Sequence, residues 1–273
     1  MVTTNILGDI VRNLVGEDAT VEVVMPPGAN PHEFALSARQ AADMRDAEVL
    51  VMNGFGFEAR LDDTIEAAEE DGVDVIRVAA LAPRLLELDE GDEHGTTDPH
   101  FFTDPARVAE ATRVLIGELG RRVDDLDTEA FRQRSLAYLV QLRALDAEVE
   151  QILEPIPAER RVLVTNHEVL GYFADRYGFR VLGAVIPSLS TAAEPGAAEL
   201  SDLAAGIATA KVPAIFAETS SPSRLADALA GEGTDVQVVE LFGESLGPAG
   251  SGGATYIELV RTNAERIAAA LGG

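Results

Sequence analysis

The sequence predicts an α/β protein with two parallel-sheet lobes joined by a single long linking helix. Three observations carry this. Short apolar runs of strand length alternate with helical patterns from residue 2 to about residue 78. A long stretch of helical spacing follows, without a glycine or proline between Asp127 and Leu153. After Pro157 the strand and helix alternation starts again. Such alternation is the pattern of a parallel sheet covered by helices on both faces. The expected boundaries are a first lobe over 1–126, a linker over 127–157 and a second lobe over 158–273.

In the first lobe the expected strands are Val2–Thr4, Ala19–Met25, Val49–Asn53 and Val73–Val78. The expected helices are Ile6–Val15, Ser37–Asp46 and Phe57–Glu70. Ser37 followed three residues later by Gln40 is a capping-box pair and fixes one helix start. The acidic, patternless stretch Leu85–Thr97 reads as a solvated loop. Asp104-Pro105 supplies an N-cap and a proline at the first helical position, so a helix runs from there to about Arg121. Asp127 is placed to cap the next helix. Phe131, Leu139, Leu142, Leu145, Val149 and Ile152 keep helical spacing, and Pro155 and Pro157 stop it. About 26 residues at ~1.5 Å each give roughly 39 Å, enough to run along two lobes. Beyond it the strands are Arg161–Thr165, Arg180–Ile186, Ala214–Ala217 and Val236–Leu241. The helices are Val169–Tyr177, Gly196–Ala210, Pro222–Ala230 and Thr255–Leu271.

Composition removes several classes of function. Lysine plus arginine number 21 against 47 acids, a formal net charge of −26. Nucleic-acid binding needs a basic footprint, so no nucleic-acid partner is expected. Docking on an anionic membrane by electrostatics is disfavoured for the same reason. With no cysteine there is no disulfide framework, thiolate metal site or cysteine nucleophile. No run approaches the length of a membrane span. Met1 leads straight into Val-Thr-Thr-Asn, a start that fits either a cytoplasmic protein or a chain whose leader has been removed.

The chain has four histidines, and three share one kind of setting. His32 (Ala-Asn-Pro-His-Glu-Phe), His100 (Asp-Pro-His-Phe-Phe-Thr-Asp-Pro) and His167 (Val-Thr-Asn-His-Glu-Val) each follow a strand or loop and precede a helix. Neutral imidazole is a common ligand for metals such as Zn²⁺, and three imidazoles with one carboxylate complete a tetrahedral site. Ligands in open α/β sheets bind outside the carboxyl ends of the strands. Two of these histidines belong to the first lobe and one to the second, so a site in the cleft between lobes is expected.

Six stretches in order carry a family resemblance: Pro-Pro-Gly-Ala-Asn-Pro-His-Glu-Phe (26–34), Asp-Pro-His-Phe-Phe-Thr-Asp-Pro (98–105), Asn-His-Glu-Val-Leu-Gly-Tyr-Phe (166–173), Ser-Leu-Ser-Thr-Ala-Ala-Glu-Pro (188–195), Ile-Phe-Ala-Glu (215–218) and Glu-Ser-Leu-Gly-Pro (244–248). Together they resemble the metal-binding solute-binding proteins of zinc and manganese ABC importers (cluster A-I), a group that includes bacterial lipoprotein adhesins. The resemblance implies four metal ligands, two from each lobe: His32, His100, His167 and, at the position where the family has aspartate, Glu244. It implies Zn²⁺ as cargo, with Mn²⁺ the alternative, and an ABC transporter membrane permease as partner. It also implies a monomer without enzymatic activity, lying outside the cytoplasm, either free in a periplasm or lipid-anchored. Phe102 stands where the family commonly has tryptophan.

The acids placed to orient the imidazoles are Glu33, Asp98, Asp104, Glu168 and Glu218, each with a solvated or helix-capping role as the equal alternative; capping alone accounts for Asp104, and Glu58 is a further candidate cleft residue. His94, in Asp-Glu-Gly-Asp-Glu-His-Gly, reads as part of the acidic loop, with an auxiliary metal site as the alternative. The main rival function is a zinc-dependent hydrolase using the same histidines. It lacks the His-Glu-x-x-His pairing. A Ser-His-Asp hydrolase is a third reading, for which no Gly-x-Ser-x-Gly elbow is expected in this chain, and a purely structural or adhesive protein is a fourth. Metal binding requires neutral imidazoles, so affinity is expected to fall as pH drops through ~6.5.

Overall fold

The computed structural model describes residues 1–88, 94–231 and 236–272. It has the expected layered α/β architecture, with two parallel sheets in two lobes. In the first lobe α1 (Asn5–Val15), α2 (Ala38–Arg45) and α3 (Asp62–Glu70) accompany β1 (Val49–Met52) and β2 (Asp74–Arg77). β1 and β2 pair in parallel from Val49–Asp74 to Met52–Arg77. Val2 extends this sheet through parallel bridges to Val51 on one side and Val23 on the other.

The expected strands Val2–Thr4 and Ala19–Met25 are therefore single-bridge pairings rather than regular strands. The cause at Val2–Thr4 is local: Thr4 is already the N-cap of α1, its side chain accepting from Leu7 N, so the chain leaves the sheet after two residues. The capping box is present as expected, with Gln40 N donating to Ser37 Oγ and Ser37 N to Gln40 Oε1. A 3₁₀ turn at Ala59–Leu61 precedes α3, which starts five residues later than the pattern suggests.

The acidic stretch has more order at its ends than a solvated loop implies. Glu87 and Thr97 form an antiparallel bridge. Residues 89–93 within it lie outside the described residues. Beyond it α4 (Pro105–Arg122) opens as expected, with Asp104 accepting from Ala106 N and Arg107 N.

α5 (Glu129–Leu153) is 25 residues long, about 37 Å. Its cap is Thr128, which accepts from Phe131 N, and not the Asp127 read from sequence. Asp127 instead pairs with Arg132. In the second lobe β3 (Val162–Thr165), β4 (Arg180–Ala184), β5 (Ala214–Glu218) and β6 (Gln237–Leu241) form one parallel sheet in the order β4-β3-β5-β6. Helices α6 (Gly171–Tyr177), α7 (Ala197–Ala210), α8 (Arg224–Gly231) and α9 (Tyr256–Gly272) complete it. α6 and α8 each begin two residues later than their sequence patterns do.

Alternation along the strands sorts the core into layers. Val49, Val51, Leu163, Ala214 and Phe216 face one large core. Leu50 and Met52 face a second, beneath α2 and α3. Val164, Ile215 and Ala217 face a third, beneath α7 and α8. The large core is shared between lobes: it includes Ile6, Ile10 and Leu14 of α1, Leu115 of α4, Leu142, Leu145 and Val149 of α5, and Leu259 and Ile267 of α9. The linking helix is thus packed into both lobes along its length.

Candidate metal centre

The four sequence-predicted residues come together. One ligand atom from each of His32, His100, His167 and Glu244 lies within 4.8 Å of the other three. The Nε2 atoms of His32, His100 and His167 stand 2.7, 3.0 and 3.2 Å from the same oxygen, Glu244 Oε1. The ring centroids are 5.3–5.9 Å apart and mutually edge-on. Exposures are 5 % for His32, 0 % for His100 and His167, and 1 % for Glu244, so the cluster is sealed from solvent.

Topology accounts for the convergence. In the second sheet β5 lies between β3 and β6, and all run parallel. His167 follows β3, Glu244 follows β6 and Glu218 ends β5, so the three side chains emerge side by side at the carboxyl end. In the first lobe His32 follows the Val23 bridge segment, and its backbone N–H donates to Asn30 Oδ1 at 3.0 Å. Asp98 Oδ1 accepts from both the backbone N and ring Nδ1 of His100, each at 2.8 Å. Asn53, just after β1, donates to Pro99 O and ties the His100 turn to the sheet. Phe57 packs edge-on against His32 and His100, and Phe102 against His100 and Phe57, giving the apolar wall expected of Phe102.

Of the five acids read as possible partners of the imidazoles, Asp98 and Glu218 stand against ring nitrogens of the cluster. Asp98 holds His100, and Glu218 Oε1 lies 2.5 Å from His167 Nδ1. Asp104 caps α4 and pairs with Arg107. Glu33 is exposed and Glu168 half-buried. Glu58 does not face the cleft as expected: it is fully buried and accepts from Thr3 Oγ1, Asn53 N and Gly54 N, bracing the turn that presents Phe57. Burial without a cation partner pushes its pKa up. His94 is exposed and lies outside the cluster.

Asn5 carries no mark in the sequence, and Ser245 is marked only as a member of the Glu-Ser-Leu-Gly-Pro stretch. Asn5 Nδ2 donates to Ser245 Oγ at 2.8 Å, and Asn5 Oδ1 accepts from Leu246 N at 2.7 Å. Gly28 N also donates to Ser245 Oγ. The loop carrying Glu244 is therefore fastened to the opposite lobe at Ser245 and Leu246. The expected absence of a Gly-x-Ser-x-Gly pattern is wrong: residues 243–247, Gly-Glu-Ser-Leu-Gly, spell the letters of a serine-hydrolase nucleophile elbow. Its setting is different. An elbow is a sharp turn straight from strand into helix, whereas α9 begins only at Tyr256 and Ser245 Oγ is occupied by Asn5 and Gly28.

Electrostatics makes the cluster a proton store when no cation is present. Burial alone lowers the pKa of His100, but Asp98 and Glu244 outweigh it and push the imidazole up to about 9. Burial acts the same way on His167, and Glu218 and Glu244 hold it well above the usual histidine range. Burial raises the Glu244 carboxyl, while the charges of His167 and His32 drive it well below the usual carboxylate range. His100 thus has Asp98 on its Nδ1 side and Glu244 on its Nε2 side within hydrogen-bonding distance, and His167 stands between Glu218 and Glu244 at ion-pair distances. A divalent cation can replace the inner protons while Asp98 and Glu218 keep the outer ones, the usual arrangement of a carboxylate, an imidazole and a metal.

With fold and site described, the comparisons place the chain. The profile of the family described as ZnuA, zinc-uptake complex component A periplasmic, matches residues 1–270, and the chain belongs to that family. It is 34 % identical over 276 aligned residues to the zinc-binding protein TroA of Treponema pallidum, covering 98 % of this chain and 87 % of the relative. The solved structure of periplasmic zinc-binding protein TroA superposes with a TM-score of 0.89 over 99 % of this chain and 97 % of that one. The manganese-binding lipoprotein MntA of Halalkalibacterium halodurans is 29 % identical over 98 % of this chain and 86 % of its own length.

Two predictions follow from the geometry. A Cβ on Gly243 would sit 2.0 Å from Glu218 Oε2, so Gly243→Ala must push Glu218 away from His167. In metal-free protein followed by NMR titration, the His167 pKa is expected to fall in Gly243→Ala; an unchanged pKa would separate Glu218 from the function assigned to it here. The second concerns stability. A histidine whose folded pKa is raised stabilises the fold fully below its unfolded value of ~6.5 and loses that contribution as pH rises through the folded value. For His100 that window ends at about 9. The melting temperature of metal-free protein should decline between pH 6.5 and 9, and a rise across that window would contradict the charge assignment.

Proposed function

We propose that this protein captures a divalent transition metal outside the cytoplasm and delivers it to the membrane permease of an ABC importer. Zn²⁺ is the favoured cargo and Mn²⁺ the second. The carrying observation is the convergence of three imidazole Nε2 atoms on one carboxylate oxygen in a sealed site. His32, His100, His167 and Glu244 are the ligands in this reading. Three nitrogens and one oxygen suit a borderline cation of zinc's kind, and manganese favours harder, oxygen-rich sets. The names of the relatives agree in kind: one is a zinc-binding protein and another a manganese-binding lipoprotein.

Capture rather than catalysis follows from the donor set. A hydrolytic zinc keeps one position for water and a base beside it. In this reading the four side chains supply all four donors of a tetrahedral site, and the nearby carboxylates of Asp98 and Glu218 stand against imidazoles. Residues 1–126 and 158–273 act as the two lobes, and 127–157 as the rigid connection, in a monomer. The shared core around α5 leaves little room for the wide swing of binding proteins hinged on strands. No helix among the described residues is long and apolar enough to cross a membrane. The protein works at the outer face of the membrane, free or lipid-anchored, with the permease as its partner.

Cargo and ligands are tested together by metal analysis of protein purified without chelator, followed by competition titration of Zn²⁺ against Mn²⁺. One equivalent of metal with zinc bound more tightly is expected. In His167→Glu the preference should shift toward manganese in relative terms, even while zinc stays the tighter binder. An unchanged ratio would remove His167 from the ligand set, and protein that takes up neither metal would end the capture reading.

A further inference from the structure

A sealed site must open to exchange its cargo, and the four proposed ligands are not equally fastened. His100 is held by Asp98 at its backbone and ring and is walled by Phe57 and Phe102. His167 stands against Glu218. Glu244 rides on a loop tied by Asn5 and Gly28 through Ser245 and Leu246. His32 is the most exposed of the four, and its anchor is of another kind. Its backbone N–H donates to Asn30 Oδ1, and Asn30 Nδ2 reaches across the cleft to donate to Thr191 Oγ1 at 2.8 Å.

Thr191 lies in residues 185–196, an irregular segment between β4 and α7. The base of this segment is bound beside His167: Val185 N donates to Thr165 O, Ile186 N to Asn166 O, and Glu168 N to Ser188 O. From Ser190 to Ala192 the backbone N–H bonds turn inward, Ser190 N to Ser188 Oγ and Ala192 N to Ser190 Oγ. The distal part is thus a small self-bonded turn whose hydroxyl at Thr191 meets the other lobe. Segments with few backbone bonds to their surroundings open at the lowest free energy.

We infer that the Asn30–Thr191 hydrogen bond is the latch of the metal site. Residues 190–195 close over His32 when the bond forms, and metal leaves by the His32 side when it breaks. The inference rests on the metal-capture reading. One Asn30 side chain couples the two events, because the amide that grips Thr191 also orients His32 through its carbonyl oxygen. Losing the bond does not remove a metal ligand, so its effect falls on the rate of escape.

The test is stopped-flow release of Zn²⁺ from loaded protein into excess chelator, for wild type, Thr191→Val, Thr191→Ala and Thr191→Ser. A single neutral hydrogen bond sets the scale, so Thr191→Val and Thr191→Ala should release zinc roughly three- to tenfold faster. Thr191→Ser, which keeps the hydroxyl, should release it near the wild-type rate. Wild-type release rates in both Thr191→Val and Thr191→Ala would overturn the latch, and so would a Thr191→Ser variant as fast as Thr191→Val. Failure of the wild type to load zinc is read in its own arm and counts against metal capture instead.

Discussion

One carboxylate oxygen organises this protein. Glu244 Oε1 draws the Nε2 atoms of three histidines from two lobes to within 3.2 Å, in surroundings that exclude water. A buried carboxylate facing nothing but neutral rings would carry a large desolvation cost. Here His100 and His167, with pKa values raised, answer it, and Asp98 and Glu218 answer those two rings. The result is an alternating array of acid, imidazole, acid, imidazole, acid, arranged around a point where a cation fits. A metal of charge two can take the place of the inner protons without changing the outer contacts.

Much of the remaining structure keeps that array in register. The parallel order β3-β5-β6 sets His167, Glu218 and Glu244 side by side. Gly243 is bare because the Glu218 carboxylate occupies the space a Cβ would need. Asn5 at the start of α1 reaches the loop after β6, so the first turn of the first helix helps aim a ligand 239 residues further along the chain. α5 and α9 fuse the lobes through a common core. Arg107 bridges Asp104 and Asp175 while lying over the Tyr172 ring, and Tyr172 donates to Asp98 O, which fastens α6 to the turn that bears His100. A core shared in this way offers few hinge positions for a wide swing of one lobe.

The lobes, the linking helix and the three histidines were legible in the sequence because each leaves a periodic or local mark. Helical spacing from Phe131 to Ile152 survives in α5, and turn-rich contexts flag His32, His100 and His167. What was not legible depends on contacts distant in sequence. Asn5, Ser245 and Gly243 are ordinary small or polar residues until the fold brings them to the ligand loop. Asp98 and Glu218 were visible only as two of five nearby acids, since nothing local separates an acid facing an imidazole from one capping a helix, as Asp104 does. The Asp127 cap failed because Thr128, one residue on, offers the same acceptor with the correct spacing to Phe131 N. The strand at Val2–Thr4 was shortened by the competing need of Thr4 to cap α1.

X-ray absorption spectroscopy of the zinc-loaded protein reads whether Glu244 and the three imidazoles form a single closed coordination shell. Three histidine nitrogens at ~2.0–2.1 Å and carboxylate oxygen at ~2.0–2.2 Å are expected, with the oxygen component altered in Glu244→Ala. A spectrum with only two imidazoles, or an oxygen component that Glu244→Ala leaves untouched, would contradict it.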